Sequence, residues 1–328
     1  MFSYRSLLKR ALKVAWRNKY LWFFGLFASI TIFGGSLEYR LITQNLNQNL
    51  VNGTYNSLNS LIAWQELCRG LANGLNTFFH QNFLVMLNVL TLVLIILAFL
   101  VFFIWLALCS QGALVSGVKK IISTKKLTTD TTIREGLSTG HKHLWSLLGL
   151  NILVKILITF IFFLLSLPLL FMVLSNAYAL VIIYVVLFVI FLPLAVSVSL
   201  LFKYAIAYNV LDEKRAVMAT GMGWKLFKKN WLVSVEMALI LFILNFLAGL
   251  AALIILSLLI FPLFLLGAIF GLSWLIILML LIAIILVVFV GAFMTSFQTA
   301  TWTDLFLELK ANRGRAKLER LFSRRARA

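Results

Sequence analysis

The stretch from Val89 to Leu108 reads VLTLVLIILAFLVFFIWLAL and contains no charged residue. At about 1.5 Å per residue, a helix of this length crosses the roughly 30 Å hydrocarbon core of a bilayer. The whole chain has 328 residues, of which 62% are hydrophobic and only 12% are charged. A soluble domain is roughly 45–50% apolar and about 25% charged. The composition therefore predicts an all-α polytopic membrane protein and excludes a soluble globular domain.

The apolar stretches divide most simply into six spans that form a helical bundle. The predicted spans are residues 20–36, 83–111, 144–174, 178–204, 231–258 and 272–297. We expect the last hairpin to turn around Pro262, Gly267 and Gly271, because proline and glycine interrupt regular structure.

Lysine and arginine are distributed unequally among the segments that connect the spans. Four segments together hold 26 of these cations, and they are residues 1–19, 119–143, 203–230 and 303–328. The connection at 38–82 holds only Arg40 and Arg69. Cytoplasmic loops carry such an excess of cations. We therefore predict a multi-pass protein of the cell (inner, cytoplasmic) membrane, with both termini cytoplasmic and an extracytoplasmic helical segment at 38–82.

Three spans are each preceded by a basic segment with a tryptophan at the point of entry. WRNKYLWFFGLF begins at Trp16, HKHLWSLLGL at His141 and FKKNWLVSV at Phe227. Tryptophan is enriched at membrane interfaces, and the predicted interface anchors are Trp16, Trp22, Trp145 and Trp231. The recurrence predicts three repeats of one unit, which consists of an interfacial amphipathic helix followed by a transmembrane hairpin.

Residues 2–16, within the first basic segment, have the pattern of an amphipathic helix. One stripe carries cations every four residues, and an apolar stripe contains Tyr4, Leu8, Ala11 and Ala15, with Leu7 and Leu12 beside it. Such a helix lies in the headgroup plane, so the expected partners are membrane lipids with anionic headgroups on the cytoplasmic face. The predicted headgroup contacts are Arg5, Lys9, Lys13, Arg17, Lys228, Lys229, Arg324 and Arg325.

The tail at 303–328 is also strongly basic, and binding to the inner leaflet is the interpretation that we favour. The net charge of +19 leaves RNA or ribosome binding open as an alternative. However, the tail lacks the interleaved aromatic residues on which bases stack. We therefore expect no nucleic-acid partner.

The chain contains no motif of known catalytic or metal chemistry. HExxH, GxSxG and Walker-type glycine loops are absent from the sequence, and Cys68 and Cys109 do not have the spacing of a zinc site. His141 and His143 flank a lysine, which favours an interfacial polar pair over a metal or phosphate site. We expect no enzyme activity, no cofactor and no bound metal.

Four polar residues fall inside the predicted spans, namely Lys155, Glu236, Asn151 and Asn245. An ionisable group in a span costs several kcal/mol unless it is paired or hydrated, and it marks a candidate functional site. One interpretation is a polar pocket that binds a lipid phosphate or conducts a solute. The interpretation that we favour is a tie between helices, in which Lys155 pairs with Glu236 or Asn151.

Three passages of the chain resemble a group of six-span bacterial membrane proteins. They are NKYLWFFGLF from Asn18, the passage from CSQGALVSGVKK at Cys109 to LLGLNIL at Leu153, and LFKYAIAYNVLDEKRAVMATGMGWKLFKKNW from Leu201. The group includes the membrane domain attached to some glycerophosphoryl diester phosphodiesterases. The resemblance implies a fold and a link to envelope lipids. It does not imply hydrolysis, which in that family belongs to a separate soluble domain with metal ligands.

The leading prediction for function is a non-enzymatic multi-pass inner-membrane protein that acts as a lipid- or envelope-associated scaffold or accessory factor. The alternative is a transporter or channel-like protein with a polar intramembrane site around Lys155 and Glu236. A third alternative is an insertase-like factor, which the basic tail and the intramembrane cation suggest.

Overall fold

The described residues are entirely helical apart from short connections. The computed structural model describes residues 4–29, 69–70, 83–124, 133–175, 180–271 and 273–311. In chain order the helices are α1 (Tyr4–Arg17), α2 (Tyr20–Ser29), α3 (Phe83–Thr124), α4 (Ile133–Lys142), α5 (Leu144–Ser175), α6 (Leu180–Leu211), α7 (Ala216–Lys229), α8 (Trp231–Phe270) and α9 (Ser273–Lys310). These residues include no strand, so the predicted all-α fold is confirmed.

Five of the described helices, α3, α5, α6, α8 and α9, are long and apolar enough to cross a membrane. The prediction of a multi-pass membrane protein is therefore confirmed. The described part of the predicted first span is α2, which is apolar and ten residues long. The rest of that span lies outside the described residues, as does the segment at 38–82 apart from Arg69 and Gly70.

Several helices continue beyond the predicted spans. α3 extends past residue 111 to Thr124, and α9 extends past residue 297 to Lys310. The stretches beyond these limits hold neither proline nor a helix-ending glycine turn, so the helices do not stop at the predicted ends of the spans. The predicted tail boundary at 303 consequently falls inside α9.

The predicted hairpin turn between α8 and α9 is right at only one of its three positions. α8 passes through Pro262 and Gly267 and ends at Phe270. Gly271 then adopts the left-handed conformation, with φ of 64°, and its N–H donates to the carbonyl of Gly267. One proline removes a single backbone hydrogen bond, which a long apolar helix tolerates, whereas a left-handed residue ends a helix.

Three short helices each lead into an apolar helix across a break of one or two residues. α1 precedes α2, α4 precedes α5, and α7 precedes α8. At two breaks an asparagine amide donates four residues back, from Asn18 to Val14 O at 2.9 Å and from Asn230 to Leu226 O at 3.1 Å. At the break between α4 and α5, the second in chain order, the backbone N–H of His143 donates to the carbonyl of Gly140. We call these three breaks the elbows.

The chain forms two compact units. Unit 1 contains residues 1–32, 106–154 and 196–328, and unit 2 contains residues 33–105 and 155–195. The core of unit 1 joins five helices through Leu7, Phe24, Leu147, Tyr204 and Phe306. In unit 2, every residue from 87 to 104 of α3 is exposed, and most of these side chains are apolar. Apolar surface of this extent suits contact with lipid acyl chains.

The apolar face of α1 is covered by protein, and the prediction that this helix lies in the headgroup plane stays a prediction. Leu7, Ala11 and Val14 are buried, and α1 packs along α9. Leu12, which we placed beside the apolar stripe, is 46% exposed. The buried stripe thus includes Leu7 and Val14 and lies slightly to one side of the predicted one.

Helix α4 rests on α3 at a very short distance. A Cβ atom built at Gly140 would lie 2.1 Å from the carbonyl oxygen of Cys109. A Cβ atom at Gly112 would lie 3.1 Å from the Cα of Gly140. Two glycines therefore allow the backbones to meet and place the second elbow directly on α3.

Candidate functional site: a polar layer and a cationic groove

One end of unit 1 gathers side chains from all four basic segments. The contacts that join them are made by Arg10 in the first segment, Lys119 and Lys142 in the second, Asp212 and Glu213 in the third, and Asp304 and Lys310 at the end of α9. We call this set the polar layer. Because four separate segments meet there, the layer fixes the first helix, the elbows and the last helix relative to one another.

Arg10 connects α1 with α9. Its Nε donates to Asp304 Oδ2 at 2.7 Å, and its Nη2 donates to Glu308 Oε1 at 2.9 Å. The Asp304 side chain is only 1% exposed. Burial lowers the pKa of Arg10, but the hydrogen bonds to Glu308 and Asp304 outweigh this effect and raise it above its ordinary value. The guanidinium therefore stays charged and supplies the charge that the buried carboxylate requires.

Two lysines bind the C-terminal end of α6. Lys119 Nζ donates to the carbonyl oxygen of Leu211 at 2.9 Å. Lys310 Nζ contacts both carboxylate oxygens of Asp212, at 2.6 and 2.8 Å. A helix C-terminus carries unpaired carbonyls and partial negative charge, so cations stabilise it. α3 and α9 are thereby joined to the same helix end.

Two further ion pairs lie at the surface. Lys142 contacts Glu213 at 2.7 Å, and Lys120 contacts Glu135 at 3.1 Å. The hydrogen bond and charge of Lys142 lower the pKa of Glu213. Exposed pairs of this kind contribute little to stability, so their main effect is to compensate charge locally at the surface.

Lys203 lies inside α6 without an acidic partner among the described residues. Its Nζ is 4.4 Å from the centroid of the Trp302 ring, a distance typical of a cation–π contact. The indole N–H of Trp302 is buried and has no hydrogen-bond partner in the described part of the chain. Tyr204, the next residue in α6, shares a hydrogen bond of 2.7 Å with Ser234. Lys203 is therefore held by an aromatic face rather than by a carboxylate.

A groove opens beside the polar layer, between α1 and α9. It has a volume of about 760 Å³ and is lined by Lys9, Arg10, Leu12, Lys13, Trp16 and Phe293. Half of these residues are cations, the other half are apolar or aromatic, and none is acidic. Lys9 and Lys13 make no ion pair within the described residues. We call this feature the cationic groove.

An aromatic cluster continues from the groove along α9. Trp16 packs edge-on against Phe293, with ring centroids 5.7 Å apart. Trp22 packs edge-on against Phe293 at 5.6 Å and against Phe289 at 5.0 Å. The indole N–H of Trp22 donates to the carbonyl of Ala15 at 2.7 Å, which orients the ring across the first elbow. We call Trp16, Trp22, Phe289 and Phe293 the aromatic track.

The structure places most of the predicted lipid-contact residues on exposed surface. The exposed cations are Arg5, Lys9, Lys13, Arg17, Lys228 and Lys229. Arg324 and Arg325 lie outside the described residues. Of the predicted interface anchors, Trp16, Trp145 and Trp231 are exposed, whereas Trp22 is partly buried in the aromatic track. The structure brings only Lys9, Lys13, Trp16 and Trp22 together around the groove and track.

Three of the four predicted intramembrane polar residues make separate contacts within unit 1. Glu236 accepts a hydrogen bond from the hydroxyl of Tyr4. Asn151 donates to Gln111 Oε1 at 2.8 Å, and Asn245 accepts from Gln298 Nε2 at 2.7 Å. Each of these contacts ties two helices of unit 1. Lys155 is exposed and belongs to unit 2, so its predicted pairing with Glu236 or Asn151 stays a prediction.

The structure also assigns roles to residues that the sequence prediction missed. Asp304 and Glu308 were counted with the tail, and Arg10 was not distinguished from the other cations of α1. A signal for them exists in the sequence, since TWTDLFLELK places two of only ten acidic residues four positions apart in an apolar setting. Such a pair on one helix face requires a cation nearby.

No family model, curated protein or solved structure matches the chain. The resemblance to the membrane domain of glycerophosphoryl diester phosphodiesterases therefore stays a prediction.

Proposed function

We propose that this protein is a non-enzymatic, lipid-associated scaffold or accessory factor of the inner membrane, and that its polar layer contacts the anionic cytoplasmic leaflet. The observation that carries this proposal is the assembly of four basic segments at one end of unit 1. The acidic side chains of that layer bond to Arg10, Lys142 and Lys310. Other cations of α1 and α7 remain exposed around the layer.

The exposed cations supply the attraction to lipid. Each cation near an anionic leaflet contributes about 1 kcal/mol, and the effect decreases within a Debye length. α1 carries its exposed cations on the side away from its buried residues. The amphipathic helix therefore packs against protein on one side, and the cations on its other side attract anionic headgroups.

The proposed orientation follows from the distribution of charge. Substituted cysteines at exposed positions test it, in a background where Cys68 is changed to serine and Cys109 is retained because it is buried. In intact cells, a membrane-impermeant reagent should modify Arg69→Cys and spare Lys142→Cys until the membrane is opened. The reverse pattern would place the polar layer outside the cell and end the proposal.

Lipid enrichment tests the function itself. The protein is extracted with its surrounding bilayer by a styrene–maleic acid copolymer, and the anionic fraction of the lipid is compared with that of the bulk membrane. We expect enrichment for the native protein and a clear decrease for Arg5→Gln/Arg17→Gln. The matched control is Arg40→Gln/Arg69→Gln, which removes the same charge on the predicted opposite side. Equal enrichment in all three samples would contradict the proposal.

A further inference from the structure

We propose that the cationic groove is a specific binding site for one anionic glycerophospholipid. The headgroup phosphate binds Lys9 and Lys13, and an acyl chain lies along the aromatic track. This inference rests on the proposed function, and it adds a discrete bound ligand to a general attraction. The observation that carries it is that two lysines without an ion-pair partner among the described residues lie beside an aromatic surface in one groove.

The charges in the groove are divided between structure and ligand. Arg10 is engaged by Asp304 and Glu308, so its charge is already compensated. Lys9 and Lys13 lie one helical turn apart on the same face of α1, and no ion pair in the described part of the chain compensates them. Two adjacent ammonium groups complement a phosphate, because each offers donors and a full positive charge.

The apolar half of the groove indicates that the ligand has a tail. Trp16 is 62% exposed although its ring packs against Phe293, and Leu12 beside it is 46% exposed. Phe289, which lies one turn before Phe293 on α9, is 52% exposed. The lining thus changes from cationic to aromatic and continues along an apolar helix. A free phosphate or sugar phosphate would use only the lysines and would make no contact with this apolar surface.

The aromatic track also suits the interfacial part of a lipid. Tryptophan rings prefer the headgroup level, where one edge is wet and the rest is apolar. Trp22 is fixed by its hydrogen bond to Ala15 and by two ring contacts, so the track is rigid before any ligand arrives. A prearranged surface of this kind loses little entropy on binding, which favours a resident lipid over a transient one.

Native mass spectrometry of the full-length protein tests this binding site. The protein is released from nanodiscs that contain zwitterionic phosphatidylcholine and a minor fraction of phosphatidylglycerol. We expect one retained phosphatidylglycerol per protein. Lys9→Gln/Lys13→Gln should reduce its retention at least tenfold, Phe293→Ala should reduce it severalfold, and Lys9→Arg/Lys13→Arg should restore it. The controls are Lys214→Gln/Arg215→Gln and Phe246→Ala, which remove exposed side chains elsewhere and should retain the lipid.

A competition arm separates a lipid from a soluble phosphate. Millimolar glycerol phosphate should leave the bound phosphatidylglycerol in place, because it lacks the acyl chain. Displacement of phosphatidylglycerol by glycerol phosphate would contradict the proposed lipid-binding site. Equal retention of phosphatidylglycerol by the native protein and Lys9→Gln/Lys13→Gln would also contradict it. Enrichment of anionic lipid around the protein depends on Arg5 and Arg17 in the copolymer experiment. That enrichment would persist without the lipid-binding site, so failure of this inference is distinguishable from failure of the proposed function.

Discussion

Arg10 in the first helix and Asp304 near the end of the last helix form a hydrogen-bonded ion pair of 2.7 Å, across 294 residues of sequence. The Asp304 side chain is almost completely buried, whereas that of Arg10 is 43% exposed. The pair therefore closes the bundle at the polar layer and positions the helix that carries the cationic groove. Its strength should be visible in the stability of the whole protein.

We expect Asp304→Asn to lower the free energy of unfolding by about 1.5–3 kcal/mol, because a charged hydrogen bond is lost. Arg10→Gln should cost at least as much, since it leaves a buried carboxylate without its cation. Thermal unfolding in detergent measures both. In the double variant the loss should be smaller than the sum by about 0.5–3 kcal/mol. Additive losses would show that the two residues act independently, and Glu308→Gln, at a more exposed carboxylate, serves as the mild control.

The asparagines at two elbows should each stabilise the turn from a short helix into an apolar helix. Asn18→Ala and Asn230→Ala remove a side-chain hydrogen bond to a backbone carbonyl, with an expected cost of about 1 kcal/mol each. Asn18 is buried and should show the larger effect. Replacement by aspartate should not rescue either site, because a carboxylate cannot donate. Asn88→Ala, at an exposed position of α3, is the matched control, and a similar loss there would remove the special role of the elbows.

The general architecture could be predicted from the sequence because it depends on local composition. Hydropathy over about 20 residues identifies each long apolar helix, and the alternation of basic segments predicts that they meet at one end. The short helices before α5 and α8 could be predicted because basic residues and a tryptophan stand next to an apolar run. In each case the signal lies within a few turns of the residues that it describes.

The partners of individual polar side chains could not be predicted, because they depend on which helices become neighbours. Glu236 accepts a hydrogen bond from Tyr4, because α1 reaches α8. Asn151 donates a hydrogen bond to Gln111 on α3. Gln111 was not predicted as a partner because it is uncharged. Pro262 gave a wrong turn position because helix continuation depends on the long apolar sequence around it, not on one residue.

The protein should lose stability in mild acid through His143 at the second elbow. Burial is the main cause that lowers the pKa of His143 below its ordinary value of 6.5, Lys142 lowers it further, and Glu213 opposes the shift. The folded state thus binds a proton less readily than the unfolded state. The contribution to stability is complete above pH 6.5 and is lost as the pH falls through the lowered pKa.

We therefore expect the unfolding temperature to fall between pH 7.5 and 5.5, and His143→Gln to flatten this dependence. His141→Gln is the control, since His141 is exposed two residues away. The lowered pKa of Glu213 gives a loss of the same sign at more acidic pH, below the ordinary carboxyl range. An identical pH profile for the native protein and His143→Gln would contradict the assignment.

Lys155 tests whether an intramembrane cation is a structural tie, a functional site or a tolerated surface residue. It lies eleven residues after the start of α5, roughly 16 Å along the helix, and its side chain is exposed. A lysine in this position extends its long stem towards the interface. Lys155→Met removes the cost of placing a charge in the span, so stability in detergent should be unchanged or higher. Lys155→Glu should destabilise the inserted protein by about 2–3 kcal/mol, because a carboxylate in a span is costly and its short stem cannot reach the interface.

Variants of Lys155 and Glu236, made singly and together, distinguish a structural tie from a functional site. If the two residues are coupled, Glu236→Gln alone should be worse than Lys155→Met, and the double change should recover much of that loss. If Lys155 serves a transported solute instead, Lys155→Met should leave a stable, inserted protein that has lost solute flux in liposomes. Within unit 1, Glu236 accepts a hydrogen bond from the Tyr4 hydroxyl, and Asn151 and Asn245 each form a separate tie between two helices. A recovery of stability in the double variant would show that the lysine has a partner in unit 1.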